Sequence, residues 1–287
     1  MDRIVVGVDP GPAGVAALHW ALREAVSRQV PLHAVRSWST SHWPGKRTGH
    51  GSHEGVPQRA VAAQELADEQ LKLSMEVAPG ADTIVCTAGA VQGSASHVLV
   101  EQSEGAVMVV LGSRGHGALS RAVLGSVSSS VLHHAQVPVT IVPEPREPTS
   151  SPARVLVGVD HSGSSAAALA AAAEHAGRHG MMLVPVYVHE PVYGQVRGGG
   201  SGSPGPGVLE EVERRTVELA ARTAGGVDVR AEVLVGHPGA TLNLMANPQD
   251  LLVVGSRGRG GFPGLLLGST STQCAAHATC PVLVVRA

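Results

Sequence analysis

An internal repeat constrains this chain before any single residue does. Ile4-Val-Val-Gly-Val-Asp9 returns as Leu156-Val-Gly-Val-Asp160, and Gln136-Val-Pro-Val-Thr-Ile-Val142 returns as Thr279-Cys-Pro-Val-Leu-Val-Val285. From Gly93 onward the copies keep an offset of 143 (Gly93 to Gly236, Gly115 to Gly258, Pro138 to Pro281), whereas Asp9 to Asp160 is 151. The first copy therefore carries eight extra residues. Asp9 to Ser37 and Asp160 to Val188 span the same 28 positions, which places the extra residues after the second strand, in the polar loop at residues 39–56. Duplication implies two similar compact units, and 287 residues with 43% apolar composition suffice for two cores. The expected domains are residues 1–143 and 153–287. Residues 144–152, rich in proline and polar side chains, cannot continue a sheet and form the linker.

Within each copy, short β-branched runs alternate with segments of helical periodicity. Strands are expected at residues 3–9, 32–38, 82–87, 107–111 and 137–142, with helices at 13–29, 57–77, 94–102 and 126–134. The second copy repeats the pattern, with strands at 154–160, 182–188, 228–233, 251–254 and 282–285. Alternating β and α elements give an α/β fold, here two tandem doubly wound five-stranded parallel-sheet domains. Right-handed crossovers most simply produce strand order 3-2-1-4-5, and ligands bind where that order reverses, at the carboxyl ends of strands 1 and 4.

A second repeated feature falls at that point. Gly112, Gly115, Gly125 and Ser126 follow the fourth strand with the spacing Gly-x2-Gly-x9-Gly-Ser, and Gly255, Gly258, Gly268 and Ser269 repeat it. Glycine lets backbone N–H groups converge on an anion without a Cβ in the way. A helix opening at Ser126 or Ser269 adds unpaired N–H groups and the positive end of its dipole. Asp9 and Asp160 end the first strands and join the same crevices, placed for sugar hydroxyls, a base or a metal. The plainer alternative is a strand-loop-helix connection in which the glycines make turns, the serines cap helices and each aspartate caps the helix that follows it.

These motifs resemble the universal stress protein family, in its tandem two-domain form and ATP-binding branch. The resemblance covers nearly the whole chain: Val-Gly-Val-Asp at both starts, the glycine signature in both halves, and Pro138-Val139 and Pro281-Val282 opening the last strands. It implies an adenine nucleotide alpha hydrolase-like fold and ATP, with or without Mg. Asp9 and Asp160 would lie near the adenosine, and the glycines and serines above on the phosphates. Backbone at Ser37 and Val188 would read adenine. It also implies pairing of fifth strands, which a tandem chain can satisfy between its own halves, with a homodimer as a further option. One departure is that the family's small polar residues after the first aspartate are replaced by Asp9-Pro-Gly-Pro-Ala-Gly14 and Asp160-His-Ser-Gly-Ser164; Pro10 and Pro12 each lack an N–H.

Other classes are disfavoured. With 21 basic against 23 acidic residues, there is no electrostatic footprint for nucleic acid or anionic membrane, and 2% aromatics leave few platforms for bases. The apolar runs are strand-sized and no charged-then-apolar leader opens the sequence, so the expected address is cytoplasmic. Cys86, Cys274 and Cys280 contain no Cys-x-x-Cys and read as reduced thiols. No P-loop Gly-x4-Gly-Lys-Ser/Thr is present, and no Rossmann Gly-x-Gly-x-x-Gly follows either first strand. Arg114, Arg257 and Arg259 beside the loops are secondary phosphate candidates. His175 and His179 share a helical face and His42, His50 and His53 share a loop, without a third ligand at fixed spacing; no metal site is assigned. With no lysine cradle and no placed base, the reading is a nucleotide-binding stress or regulatory factor. The alternatives are a slow ATPase or phosphoryl-transfer enzyme, or a nucleotide-free dimerisation scaffold.

Overall fold

The computed structural model describes residues 2–39, 56–115, 124–190, 207–259 and 266–286. The polar loop at residues 39–56, with His42, His50 and His53, lies outside the described residues except for its two edges. The chain divides into two compact units, Met1–Glu144 and Pro145–Ala287.

The first unit runs β1 (Ile4–Gly7), α1 (Pro12–Arg28), β2 (Leu32–Trp38), α2 (Val56–Glu76), β3 (Cys86–Gln92), α3 (Ala95–Gln102), β4 (Met108–Gly112), α4 (Ser126–His134) and β5 (Val139–Val142). Parallel pairings β3 to β2, β2 to β1, β1 to β4 and β4 to β5 give the order 3-2-1-4-5. The second unit runs β6 (Arg154–Val159), α5 (Gly163–His179), β7 (Met182–His189), α6 (Val208–Thr223), β8 (Glu232–Val235), α7 (Pro238–Met245), β9 (Leu251–Gly255), α8 (Ser269–His277) and β10 (Val282–Val285). Its parallel pairings repeat that order as β8-β7-β6-β9-β10. In each unit one helix pair packs together, α1 with α2 and α5 with α6, while α3 with α4 and α7 with α8 form the other layer. The central strands are buried along their length, as a parallel sheet covered on both faces requires: Ile4 to Val6, Met108 to Leu111, Val155 to Val157 and Leu251 to Val254.

The third strands differ from expectation. Residues 81–83 form a 3-10 turn and β3 begins only at Cys86, running through Ala88-Gly89-Ala90. Those residues have weak β-propensity, so the β-branched run before them reads more strongly from sequence. Register decides instead, with Leu32 paired to Cys86 and Trp38 to Gln92. Gln64 of α2 supports this edge strand: its Oε1 accepts from Ala90 N at 2.8 Å and its Nε2 donates to Ala88 O at 3.2 Å. One amide side chain thus takes the place of a missing strand neighbour. In the second unit, Leu183 and Val229 form an isolated bridge and the strand proper resumes at Glu232.

At the amino end of the second sheet, the wholly buried Asp250 carboxylate accepts from Arg154 N and Nη2 at 2.8 Å each and from Asn247 N at 3.0 Å. That cluster joins β6 to the start of β9. The opposite, carboxyl end is left for the site.

Candidate functional site

Asp160 lies one residue beyond β6, where its carboxylate gathers the chain around it. Oδ1 accepts from Ser162 N at 3.0 Å, and Oδ2 accepts from Arg259 N at 2.8 Å across the tip of the sheet. Burial raises the Asp160 pKa, but hydrogen bonds from the side chain and backbone of Ser162, from Arg259 N and from the Ser165 side chain outweigh it, holding the carboxyl below its ordinary value. Ser162 also caps α5, its side chain accepting from Ser165 N at 3.2 Å. Asp9 occupies the matching place after β1, with Oδ1 accepting from Gly11 N at 2.9 Å.

The three glycines of each signature have distinct duties. Gly112 and Gly255 end β4 and β9 where the first turns of α1 and α5 cross the strand tips. A β carbon on Gly112 would stand 2.8 Å from Ala13 C, and one on Gly255 would stand 2.5 Å from Ser164 Oγ and 2.9 Å from Ser164 C. These positions need glycine for helix-strand contact, whatever else they do. Gly115 and Gly258 face the aspartates, a β carbon there lying 3.5 Å from Asp9 Oδ2 and 2.7 Å from Asp160 Oδ2. Gly125 and Gly268 are the N-caps of α4 and α8, in extended conformation. Each closes its loop at the base: Gly125 N donates to Ser113 O at 2.8 Å and Gly268 N to Ser256 O at 2.7 Å. Ser128 Oγ adds a bond to Gly112 O at 2.7 Å, and Ser271 Oγ one to Ser256 O at 3.1 Å. Ser126 and Ser269, the first residues of the two helices, are exposed. Residues 116–123 and 260–265, between the glycines, lie outside the described residues.

In the second unit these parts surround one cavity of about 500 Å³, lined among others by Asp160, Val188, Gly255, Gly258, Gly268 and Ser269. Its volume falls in the range of small-molecule sites, about 300–1,000 Å³. Every candidate residue of the second copy therefore reaches the same hollow. Leu242 of α7 and Leu267 supply apolar wall, and Arg257 and Arg259 supply cationic side chains. Arg286, following β10, donates from Nη1 to Leu266 O at 3.1 Å; burial lowers its pKa, as does the nearby Arg257 charge. Arg286 and Ser162 were not among the sequence candidates. The capping pattern Ser162-Gly-Ser-Ser165 was the available signal for Ser162, whereas Arg286 is marked only by tertiary proximity. In the first unit, Ser37 lies one residue from the end of β2, paired with Val91, while Asp9 and Gly115 adjoin as described. His175 and His179 stack on α5 with ring centroids 4.2 Å apart.

The universal stress protein family model matches residues 1–143 and 153–286. The chain belongs to that family. It is 36% identical over 301 residues to a universal stress protein of Mycolicibacterium smegmatis, covering 99% of this chain and 96% of the relative. A universal stress protein of Mycobacterium tuberculosis is 32% identical over 315 residues, covering 99% of this chain and 94% of the relative. Among solved structures, a universal stress protein from Archaeoglobus fulgidus superposes with a TM-score of 0.67 at 21% identity, covering 99% and 96% of the two chains. This likeness shows the adenine nucleotide alpha hydrolase-like fold. As in other universal stress proteins of this length, the fold is present twice. No helix among the described residues is long and apolar enough to cross a membrane.

Proposed function

We propose that this universal stress protein binds an adenine nucleotide in each unit, ATP in preference, and acts as a nucleotide-dependent stress or regulatory factor. The observation that carries the reading is the second-unit cavity, which gathers Asp160, Val188, the three glycines and Ser269 of one motif around a single hollow. The fit to a nucleotide is chemical. Glycine α-carbons at 258 and 268 and the opening turn of α8 suit phosphate oxygens, and Arg257 and Arg259 supply charge to the same space. Val188 and Leu242 offer an apolar surface for a base. When bound, the nucleotide would set its phosphates against Arg257 and Arg259.

The residues of this chain bind and orient; the reading assigns none of them to proton transfer. Calorimetric titration of the full chain with ATP, with and without Mg, tests it. The expected result is more than one nucleotide per chain and slow or no phosphate release. A stoichiometry near zero would remove the reading, and rapid metal-dependent phosphate release would move the protein to the enzyme class.

A further inference from the structure

The carboxyl edge of the second sheet carries another cavity, on the other face. It has a volume of about 390 Å³ and is lined by His161, Tyr187, Glu211, Val212, Arg215 and Arg259, with Gly207 at its margin. Strand alternation separates the two hollows: Val186 and Val188 of β7 line the nucleotide cavity beside α7 and α8, whereas Tyr187 between them lines this one beside α6. Arg259 is common to both.

Three features mark the second hollow as more than a surface dent. His161 has φ of 60°, a left-handed conformation that costs a non-glycine residue free energy. That geometry sets its ring 5.5 Å from the Tyr187 ring, tilted by 32°. Its Nε2 is shielded from solvent and has no hydrogen-bond partner among the described residues. The chain has only one Phe, two Tyr and three Trp, so a paired ring surface beside a guanidinium is a scarce feature here. Glu211 does not make the hollow acidic, because Arg214 Nη2 and Arg215 Nε both pair with its Oε1, at 2.8 and 2.6 Å. Arg259, which lines both cavities, then adds a positive charge.

We propose that the second unit binds a dinucleoside polyphosphate, with one nucleoside in the cavity lined by Val188, the phosphates passing Arg259, and the other base against Tyr187 and His161. The inference rests on the nucleotide reading above and deepens it for one unit only. The first unit lacks these parts: Pro10 stands at the position of His161 and Arg36 at that of Tyr187. Arg36 there turns its Nη1 to Val8 O at 3.5 Å.

Titration calorimetry of the full chain with diadenosine tetraphosphate and with ATP tests this. One site per chain is expected to take the dinucleotide about tenfold more tightly than ATP, the gain of one stacked base. Tyr187→Leu and, separately, the surface change Arg215→Gln should abolish that advantage while ATP affinity stays within about twofold. A melting temperature close to that of the parent chain confirms that each variant is folded. Equal affinity for the two ligands in the parent chain, or an advantage that survives both variants, would overturn the inference while leaving ATP binding intact. Absence of binding by either ligand would instead overturn the nucleotide reading and this inference with it.

Discussion

Gly258 lies so close to Asp160 that a β carbon there would stand 2.7 Å from Oδ2, the oxygen that also accepts from Arg259 N at 2.8 Å. The glycine is therefore required by a protein carboxylate before any phosphate is considered, and the carboxylate holds the loop against the tip of β6. In the first unit the corresponding separation, Gly115 to Asp9, is an ordinary 3.5 Å. The two aspartates thus leave different room at the matching glycines.

Alanine should separate the units. Gly258→Ala is expected to push the Asp160 carboxylate aside, costing about 1–3 kcal/mol of stability in the manner of other overpacked sites, and to weaken one nucleotide site. Gly115→Ala should change neither noticeably. Valine at either position is expected to remove one nucleotide per chain and the double variant both. Thermal melts and calorimetric stoichiometry read these outcomes; full stoichiometry in the double valine variant would show that the loops do not hold the phosphates.

Asp160→Asn removes the charge that these donors bind, at an expected cost of about 1–3 kcal/mol at neutral pH. The sign in pH follows from the lowered folded-state pKa. The ionised group's contribution is fully present above the unfolded value of about 3.9 and is lost as pH falls through the folded value. The variant should lose that part of the acid limb in denaturant melts between pH 6 and pH 3, expected to narrow the gap from the parent chain toward low pH. A constant gap would contradict it.

The His161 window lies at higher pH and has the same sign. Burial, Arg259 and Arg215 lower its pKa, against a raising influence from Asp160. The neutral ring is favoured in the fold, so stability should fall as pH drops below the unfolded value of about 6.5 toward the folded one. His161→Asn, which keeps a residue tolerant of the left-handed region, should flatten this slope between about pH 7 and pH 5. His19 and His33 shift in the same direction, so a residual slope is expected. An unchanged slope in the variant would refute the assignment to His161.

Gln64→Leu should cost about 1–2 kcal/mol, since two hydrogen bonds to the edge of β3 are lost. It also leaves Ala88 and Ala90 able to pair with another chain, and light scattering on storage is expected to rise. A variant as stable and as monodisperse as the parent chain would show that the clamp is unimportant.

Asp250→Ala strands Arg154 at a half-buried position and removes all three acceptor bonds. The expected loss is about 3–5 kcal/mol, seen as a shift of the urea midpoint, with nucleotide stoichiometry retained wherever the second unit remains folded.

Much of this was readable because it depends on local pattern. β2, α4 and β10 fall on the expected residues, since short strand-length runs bounded by turns, β-branched in β10, and a serine opening a helix are signals contained in the segment itself. The gathering of Asp160 with Gly255 and Gly258 followed from topology, which sets strands 1 and 4 side by side. The third strands were misplaced because Ala88-Gly89-Ala90 owe their conformation to β2 and Gln64, neither of which is a neighbour in sequence. The left-handed backbone of His161 and its ring contact with Tyr187, 26 residues later in the chain, likewise arise only in the folded state. The duty of Gly112 in admitting α1 was hidden behind its membership in an anion-loop motif.

The alternation at the end of β7 has one more consequence. Since Tyr187 and Val188 are consecutive, both hollows are lined from a single strand, and their linings share one phase. Inserting or deleting one residue upstream in β7 would exchange the two linings at a stroke, whereas point substitutions can alter either hollow alone. Divergence between duplicated copies is thereby channelled into substitution, and Arg36 standing where the second copy has Tyr187 is such a change.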